Sequence, residues 1–581
     1  MPTTPEPAPL EETPDIYGAY PRLSPEQIRT LAALGERHEV CAGDVLYEED
    51  DTGCDFFVIL EGKVAVVDSA GGVVAVHGPG RFVGELGLLT GQPGFLTTVV
   101  RKPGAVVRIS SERLRELVAG DPALGDLILR ALLLRRSILV GLGTGFRIVG
   151  SRYSPETRRL REFAARNRLP HRWIDLEEDP GAERLLRMLG IGPDETPVVI
   201  LGGSRVLRNP SNQELARALG LLDSGEGEIS CDLLVVGAGP AGLAASVYGA
   251  SEGLSTIALE RLAIGGQAGT SSRIENYLGF PAGIAGVELA ERAEIQARKF
   301  GARLEVSAEA TAIKPRDGGY AVTFGDGEGD HIQARSVVIA AGVRYRRLSI
   351  ERLEEFEGAS IYYAATIAEA NMCAGDPVVV VGGGNSAGQA TLFLAEYVPL
   401  IELVVREPEL SVNMSRYLVD RVERTPNVRI HTSTEARRLL GSKTLDAVVV
   451  ENNATGEYDT LEARSMFIFI GAAPHTDWLG GLVELDDGGY IRTGRDVAAA
   501  GNGAGPGREP LLLESSQPGV FAVGDVRSGS VKRVATAVGE GSMAVRLVHE
   551  HLAGREHAER PALQRAQLER AAPRQTNAAS T

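Results

Sequence analysis

The sequence predicts a multidomain chain: an N-terminal antiparallel β-barrel with helices, then a small α/β domain, then two larger α/β domains. Three observations carry this reading. Residues 44–110 hold a regular series of short apolar strands separated by glycine turns. Residues 145–222 alternate strand, helix, strand, helix, strand, helix. From residue 231 onward, an apolar strand twice runs straight into a glycine triplet and a helix of small residues.

Composition sets the outer bounds. A chain of 581 residues is too long for one hydrophobic core. Its 43% hydrophobic and 24% charged residues are ordinary for globular protein. A net charge of −17 argues against non-specific binding to nucleic acid or to an anionic membrane. The four cysteines, Cys41, Cys54, Cys231 and Cys373, form no Cys-x-x-Cys pair. That excludes a disulfide framework and a structural zinc site of the usual spacing, so no metal is expected. The acidic, proline-rich start reads as neither a signal nor a transit peptide. No apolar run reaches the ~18 residues of a membrane span. The nearest, Leu127 to Leu142, is interrupted by Arg130, Arg135 and Arg136. A cytoplasmic protein is expected.

Residues 1–22 read as a disordered leader. The barrel domain, 23–140, opens with a helix from Pro25 to Gly35 and closes with helices from Ser111 to Ala119 and Leu124 to Val140. Two of its segments, Asp55 to Val66 and Gly84-Glu85-Leu86-Gly87-Leu88-Leu89, resemble the cyclic nucleotide-binding domain family. The resemblance implies a ligand site at Gly84, Glu85 and Leu86, where amides and a carboxylate hold a cyclic phosphate and its ribose. The family pattern continues to a Pro-Arg pair, whereas here Pro93 is followed by Gly94, Phe95 and Leu96. Without that arginine an anionic ligand loses its charge-assisted partner. A docking module is therefore favoured, with a cyclic nucleotide sensor as the alternative. No helix-turn-helix follows, so DNA binding is not expected.

Residues 145–222 resemble the thioredoxin/glutaredoxin family. Thr196-Pro197 matches its Thr-Pro element, but the slot of its Cys-Pro-x-Cys pair reads Ser154-Pro155-Glu156-Thr157. Hydroxyls form no disulfide, so a structural or docking role is expected.

The first glycine fingerprint starts at Leu233–Val236, a strand that leads into Gly237, Gly239 and Gly242 and a helix. A second strand then ends at the acid Glu260, in position to bond a ribose hydroxyl. The second fingerprint has the strand Val378–Val381, then Gly382, Gly384 and a helix. Its next strand ends at Arg406, a cation suited to a 2′-phosphate. Two such units imply two Rossmann-like domains and two dinucleotides. With the Gly265-Gly266-Gln267 segment, the Glu275–Pro281 segment and the strand that ends in Gly524-Asp525, residues 231–552 resemble the low-molecular-weight thioredoxin reductase family.

That resemblance implies an FAD domain (230–346 and 476–552), an NAD(P) domain (347–475), a flexible tail (553–581) and a homodimer. It assigns Gly237, Gly239, Gly242, Glu260, Gly266, Gln267, Asn276, Gly524 and Asp525 to FAD, with Lys532 and Arg533 beside the flavin ring. It assigns Gly382, Gly384, Asn385, Ser386 and Arg406 to NADPH, with NADH as the alternative. The family's two redox cysteines fall at Ala364 and Ile367. The expected reaction is thus hydride transfer from NADPH to FAD, then to a non-dithiol acceptor such as a ferredoxin, a flavodoxin or a quinone, with no catalytic side chain identified. The alternatives are a regulatory flavoprotein with little turnover, and a thioredoxin reductase that recruits another thiol.

Overall fold

The computed structural model describes residues 11–571 except 52–53, 69–70, 203–204, 224–228, 272–273, 275–276, 326–329, 358–359, 364, 366–368, 371–372, 443 and 500–508. The chain divides into two compact units. One comprises Met1–Glu226, Leu259–Ile264 and Glu294–Glu309; the other comprises Gly227–Ala258, Gly265–Ala293 and Ala310–Thr581.

The first unit begins with eight strands: β1 (Glu36–Val40), β2 (Val45–Tyr47), β3 (Phe56–Ile59), β4 (Lys63–Val67), β5 (Val73–His77), β6 (Phe82–Val83), β7 (Thr97–Lys102) and β8 (Gly104–Ile109). They form two four-stranded antiparallel sheets, ordered β1-β8-β3-β6 and β2-β7-β4-β5. Strand alternation decides which face sees which core. Phe57, Ile59 and Val106 point into a core shared with Tyr47, Val64 and Val100 of the other sheet. Phe56, Val58, Val107 and Ile109 point the opposite way, onto Leu31, Leu114, Ile128 and Leu132 of the helices Pro25–Leu34, Ser111–Gly120 and Pro122–Leu142.

The leader expected to be disordered through residue 22 is ordered from residue 11. Thr13 and Val76 exchange hydrogen bonds (3.0 and 2.8 Å), and Ala19 and Tyr20 are buried. One of its anchors is Arg135. It is buried in the long helix and donates to the carbonyls of Ala19 (2.8 Å), Phe82 (3.2 Å) and Gly84 (3.2 Å). A buried guanidinium requires that many acceptors, and the chain before residue 23 supplies one.

The rest of this unit carries β9 (Phe146–Gly150), β10 (His171–Asp175), β11 (Val198–Leu201) and β12 (Arg205–Arg208), ordered β10-β9-β11-β12. β9 and β10 are parallel, whereas β11 is antiparallel to both its neighbours. The Thr196–Pro197 peptide is cis.

Next come β13 (Ile229–Val236), β14 (Thr256–Glu260), β15 (Arg303–Val306), β16 (Ala310–Arg316), β17 (Gly319–Phe324) and β18 (His331–Ile339). Their sheet is ordered β15-β14-β13-β18-β17-β16. β19 (Val343–Tyr345) leads away from it into β20 (Ile361–Tyr362), β21 (Val378–Val381), β22 (Ile401–Val404) and β23 (Val428–His431). Then follow β24 (Thr434–Gly441), β25 (Leu445–Asn452), β26 (Tyr458–Glu462), β27 (Ser465–Ile468) and β28 (Ala472–Pro474). β28 pairs with β19, so the inserted segment leaves and returns through one two-stranded ribbon. Within it, β20-β27-β21-β22-β23 is an all-parallel sheet. β21 is four valines because both faces are covered: Val378 and Val380 enter one core, Val379 and Val381 the other. β29 (Val520–Ala522) finally pairs in parallel with β18.

Candidate functional site

The first glycine loop joins β13 to the helix Pro240–Ser251, with Gly239 as its N-cap. Gly237 sits at φ +103°, and a Cβ there would lie 2.4 Å from the Ala340 carbonyl oxygen. A Cβ on Gly242 would lie 1.8 Å from the Gly237 oxygen, so strand and helix meet at backbone contact. The Gly265-Gly266 turn closes the other side. The Gly265 N–H donates to the Ala238 carbonyl at 2.8 Å, and a Cβ on Gly266 would lie 3.0 Å from the Gly239 Cα. Bare backbone on both sides, at a helix N-terminus, makes a cradle of amides suited to a pyrophosphate.

The other residues singled out in the sequence have their own partners. Glu260 ends β14, and its carboxylate accepts from the Leu262 N–H at 3.0 Å. Gln267 donates its side-chain amide to the Val343 carbonyl at 2.5 Å. Gly524 and Asp525 lie on a single 3-10 turn directly after β29. Gly524 is at φ +70°, and a Cβ there would meet the Ala241 Cβ at 3.0 Å. Burial raises the Asp525 carboxyl above its ordinary range; Lys532 opposes this and Glu540 adds to it. Lys532 reaches the Tyr490 hydroxyl (2.8 Å), and Arg533 is exposed. Asn276 lies outside the described residues, as do Ala364 and Ile367.

The sequence reading missed Glu540. From the long helix Val534–Ala571, its carboxylate accepts from the Gly524 N–H (2.7 Å) and from both ends of the Arg527 fork (3.2 and 2.6 Å). It thereby fixes the turn that carries Asp525. Spacing alone gave no signal, because the two charges are 13 residues apart on different elements.

The second loop joins β21 to the helix Asn385–Leu394, with Gly384 as N-cap. A Cβ on Gly382 (φ +145°) would lie 2.3 Å from the Phe469 oxygen. Asn385 accepts from the Ser415 N–H (2.7 Å), and Ser386 is exposed at the same helix end. Arg406 lies beyond the end of β22 with its side chain 71% exposed.

In the barrel, Gly84, Glu85 and Leu86 precede a single helical turn, Gly87–Thr90. The Glu85 carboxylate accepts from the N–H groups of Phe95 (3.0 and 3.2 Å) and Leu96 (3.1 Å). Burial pushes this carboxyl up to about 7, against the pull of the two amides and of Arg136. A cavity of about 30 Å³ beside it is lined by Tyr47, Cys54, Gln92 and Arg115, among others.

Residues 231–541, more than half of the chain, match the family model of the pyridine nucleotide-disulphide oxidoreductases. The chain belongs to that family. Within the pyridine nucleotide-disulphide oxidoreductases its likeness is to thioredoxin reductases. The thioredoxin reductase of Treponema pallidum (strain Nichols) is 32% identical over 317 residues, 55% of this chain and 95% of that protein. A 34.2 kDa protein in the rubredoxin operon of Clostridium pasteurianum is 31% identical over 328 residues, 56% of this chain and 99% of that protein. The crystal structure of Lactococcus lactis thioredoxin reductase (FR conformation) superposes with a TM-score of 0.50 at 26% identity, covering 56% of this chain and 99% of that one. Residues 37–121 match the cyclic nucleotide-binding domain. This pyridine nucleotide-disulphide oxidoreductase is thus a thioredoxin reductase-like oxidoreductase with a cyclic nucleotide-binding domain ahead of it.

Proposed function

We propose that the chain is an FAD-containing NAD(P)H oxidoreductase whose electrons leave the flavin for an acceptor that is not a dithiol: ferredoxin-, flavin- or quinone-like. One observation carries this reading. Both glycine cradles are intact, yet none of the four cysteines belongs to a Cys-x-x-Cys pair. Cys231 is buried in β13, and Cys373 is buried with its Sγ against the Ser465 hydroxyl (3.2 Å). The resemblance puts the family's redox pair at positions where this chain has Ala364 and Ile367.

FAD, when bound, supplies hydride acceptance from a reduced nicotinamide and electron delivery onward. The chain's share is to bind and orient. The Gly237–Gly242 loop, Gly266 and the helix N-terminus offer amides to the pyrophosphate. Glu260 accepts from the adenosine ribose and Asp525 from the ribityl hydroxyls. Gly382, Gly384, Asn385 and Ser386 form the corresponding end for the nicotinamide nucleotide.

In this reading residues 145–222 are a thioredoxin-like module without its dithiol, and the enzyme is a cytoplasmic homodimer. Among the described residues no helix is long and apolar enough to cross a membrane. The barrel serves as a docking or structural module, a view supported by Glu85, which spends its carboxylate on the Phe95 and Leu96 amides. Anaerobic addition of NADH or NADPH to the FAD-loaded chain is expected to bleach the flavin absorbance. Reoxidation by ferricyanide or a ferredoxin, and not by thioredoxin disulfide, supports the proposal. A flavin that neither coenzyme reduces sinks it.

A further inference from the structure

The second glycine loop faces a carboxylate. Glu407 lies one residue beyond Arg406 and three beyond the end of β22. Its Oε2 stands 2.8 Å from where a Cβ of Gly383, the middle residue of the loop, would be. The side chain is 19% exposed and is held in place: the Asn413 side-chain N–H donates to Oε1 at 3.1 Å. The backbone around it is pinned as well. The Ser433 N–H donates to the Glu407 carbonyl and the Thr434 N–H to the Val405 carbonyl, each at 2.9 Å.

The cations are placed differently. Arg406 has its side chain 71% exposed, and its guanidinium contacts the Glu407 Oε1 at 3.4 Å. Arg416, the other arginine near this strand end, has its side chain 83% exposed and pairs with Asp420 on its own helix at 3.1 Å. The group packed against the loop is therefore an anion, and the nearby cations are exposed and engaged with carboxylates.

An acid beside the glycine loop at the end of the second strand accepts from the 2′-hydroxyl of an adenosine ribose, whereas a 2′-phosphate needs a cation there. A phosphate dianion placed against a fixed carboxylate would be repelled, and it offers Oε2 no ribose hydroxyl to accept from. We infer that Glu407 selects NADH over NADPH. This rests on the nucleotide reading proposed above and reverses the expectation drawn from Arg406. Glu407 acts here as a specificity residue.

The test is binding of NAD⁺ and NADP⁺, measured by titration calorimetry on the FAD-loaded full chain. NAD⁺ is expected to bind at least tenfold tighter. Glu407→Gln should shrink that ratio, and Glu407→Arg should bring it to one or below. Arg406→Ala should leave the preference for NAD⁺ in place. Tighter binding of NADP⁺ by the parent chain overturns the inference, as does a ratio that neither Glu407 variant moves while both retain bound flavin. Failure of NAD⁺ and NADP⁺ to bind, together with failure of both NADH and NADPH to reduce the flavin, removes the proposed NAD(P)H-to-flavin reading as well, an outcome distinct from a reversed preference.

Discussion

Glu540 and Arg527 form a two-point ion pair, 2.6 and 3.2 Å, with side chains only 12% and 18% exposed. The same carboxylate takes the Gly524 N–H at 2.7 Å. One side chain thus ties the Gly524–Val526 turn to the helix that follows it. Removing one partner of such a pair leaves the other charge without its counterion, at a cost of about 3 kcal/mol. Glu540→Ala is expected to lower the melting temperature and the flavin content together. Glu540→Gln, which keeps an acceptor for the Gly524 amide, is expected to retain more flavin. The absorbance ratio of flavin to protein, read alongside thermal unfolding, checks both.

The pyrophosphate cradle admits no added carbon at its tightest point. Gly242→Ala would place a methyl 1.8 Å from the Gly237 oxygen, against backbone rather than a yielding side chain. The loop must open to accept it. The expected result is chain that purifies nearly free of flavin and is not restored by excess FAD. Gly253→Ala is the control for a general effect of adding a methyl, since a Cβ there meets nothing within 4 Å, although its φ of +90° will cost some stability.

Glu85 makes the stability of the barrel depend on pH with a sign opposite to most carboxylates. Its folded value, pushed up to about 7, exceeds that of an unfolded glutamate. Folding therefore favours the protonated form. The associated stability is fully present below the unfolded value of about 4.3 and is lost as pH rises toward 7, by about 3–4 kcal/mol in all. Glu85→Gln should flatten the melting temperature between pH 5 and 7.5 and raise it at the alkaline end. Parent chain that gains stability across that window contradicts the assignment. Cyclic AMP and cyclic GMP are expected to give no heat of binding, because the carboxylate already holds the Phe95 and Leu96 amides and the adjoining cavity of about 30 Å³ is far below ligand size.

Cys373 is expected to be a packing residue. Burial pushes its thiol up, and its Sγ rests on Ser465 in the core of the parallel sheet. Cys373→Ser should leave turnover with ferricyanide unchanged and cost about 1 kcal/mol of stability. Loss of turnover with flavin retained would revive the reading in which this thiol carries electrons.

What the sequence made legible follows from local rules. Val378–Val381 has the bounds read from its four valines, and Gly237, Gly239 and Gly242 fall at a strand-to-helix turn as their spacing requires. The less legible features arise from side chains that meet across elements. Counting along β22 stops at Arg406, yet the chain curls through Asn413 and brings the next residue, Glu407, onto the loop. Arg135 looked like an interruption of an apolar helix; it is buried and holds the Ala19 carbonyl of the segment before residue 23. β1 escaped notice because four of its five residues, Glu36–Glu39, are charged or polar, and only Val40 is buried.

The pairing of β29 with β18 joins residues 337–339 to residues 520–522. Everything between them, including the complete parallel sheet around β21, emerges earlier from the ribosome. Chains fold as they are made, at about 5–20 residues per second. The inserted segment thus has all its strands before the sheet of β13 and β18 gains its last one, and Asp525 and Glu540 arrive later still. For much of its synthesis the nascent chain holds Gly237–Gly242 with no partner for half of the cradle. On the proposed reading, uptake of FAD waits until Glu540 has been made.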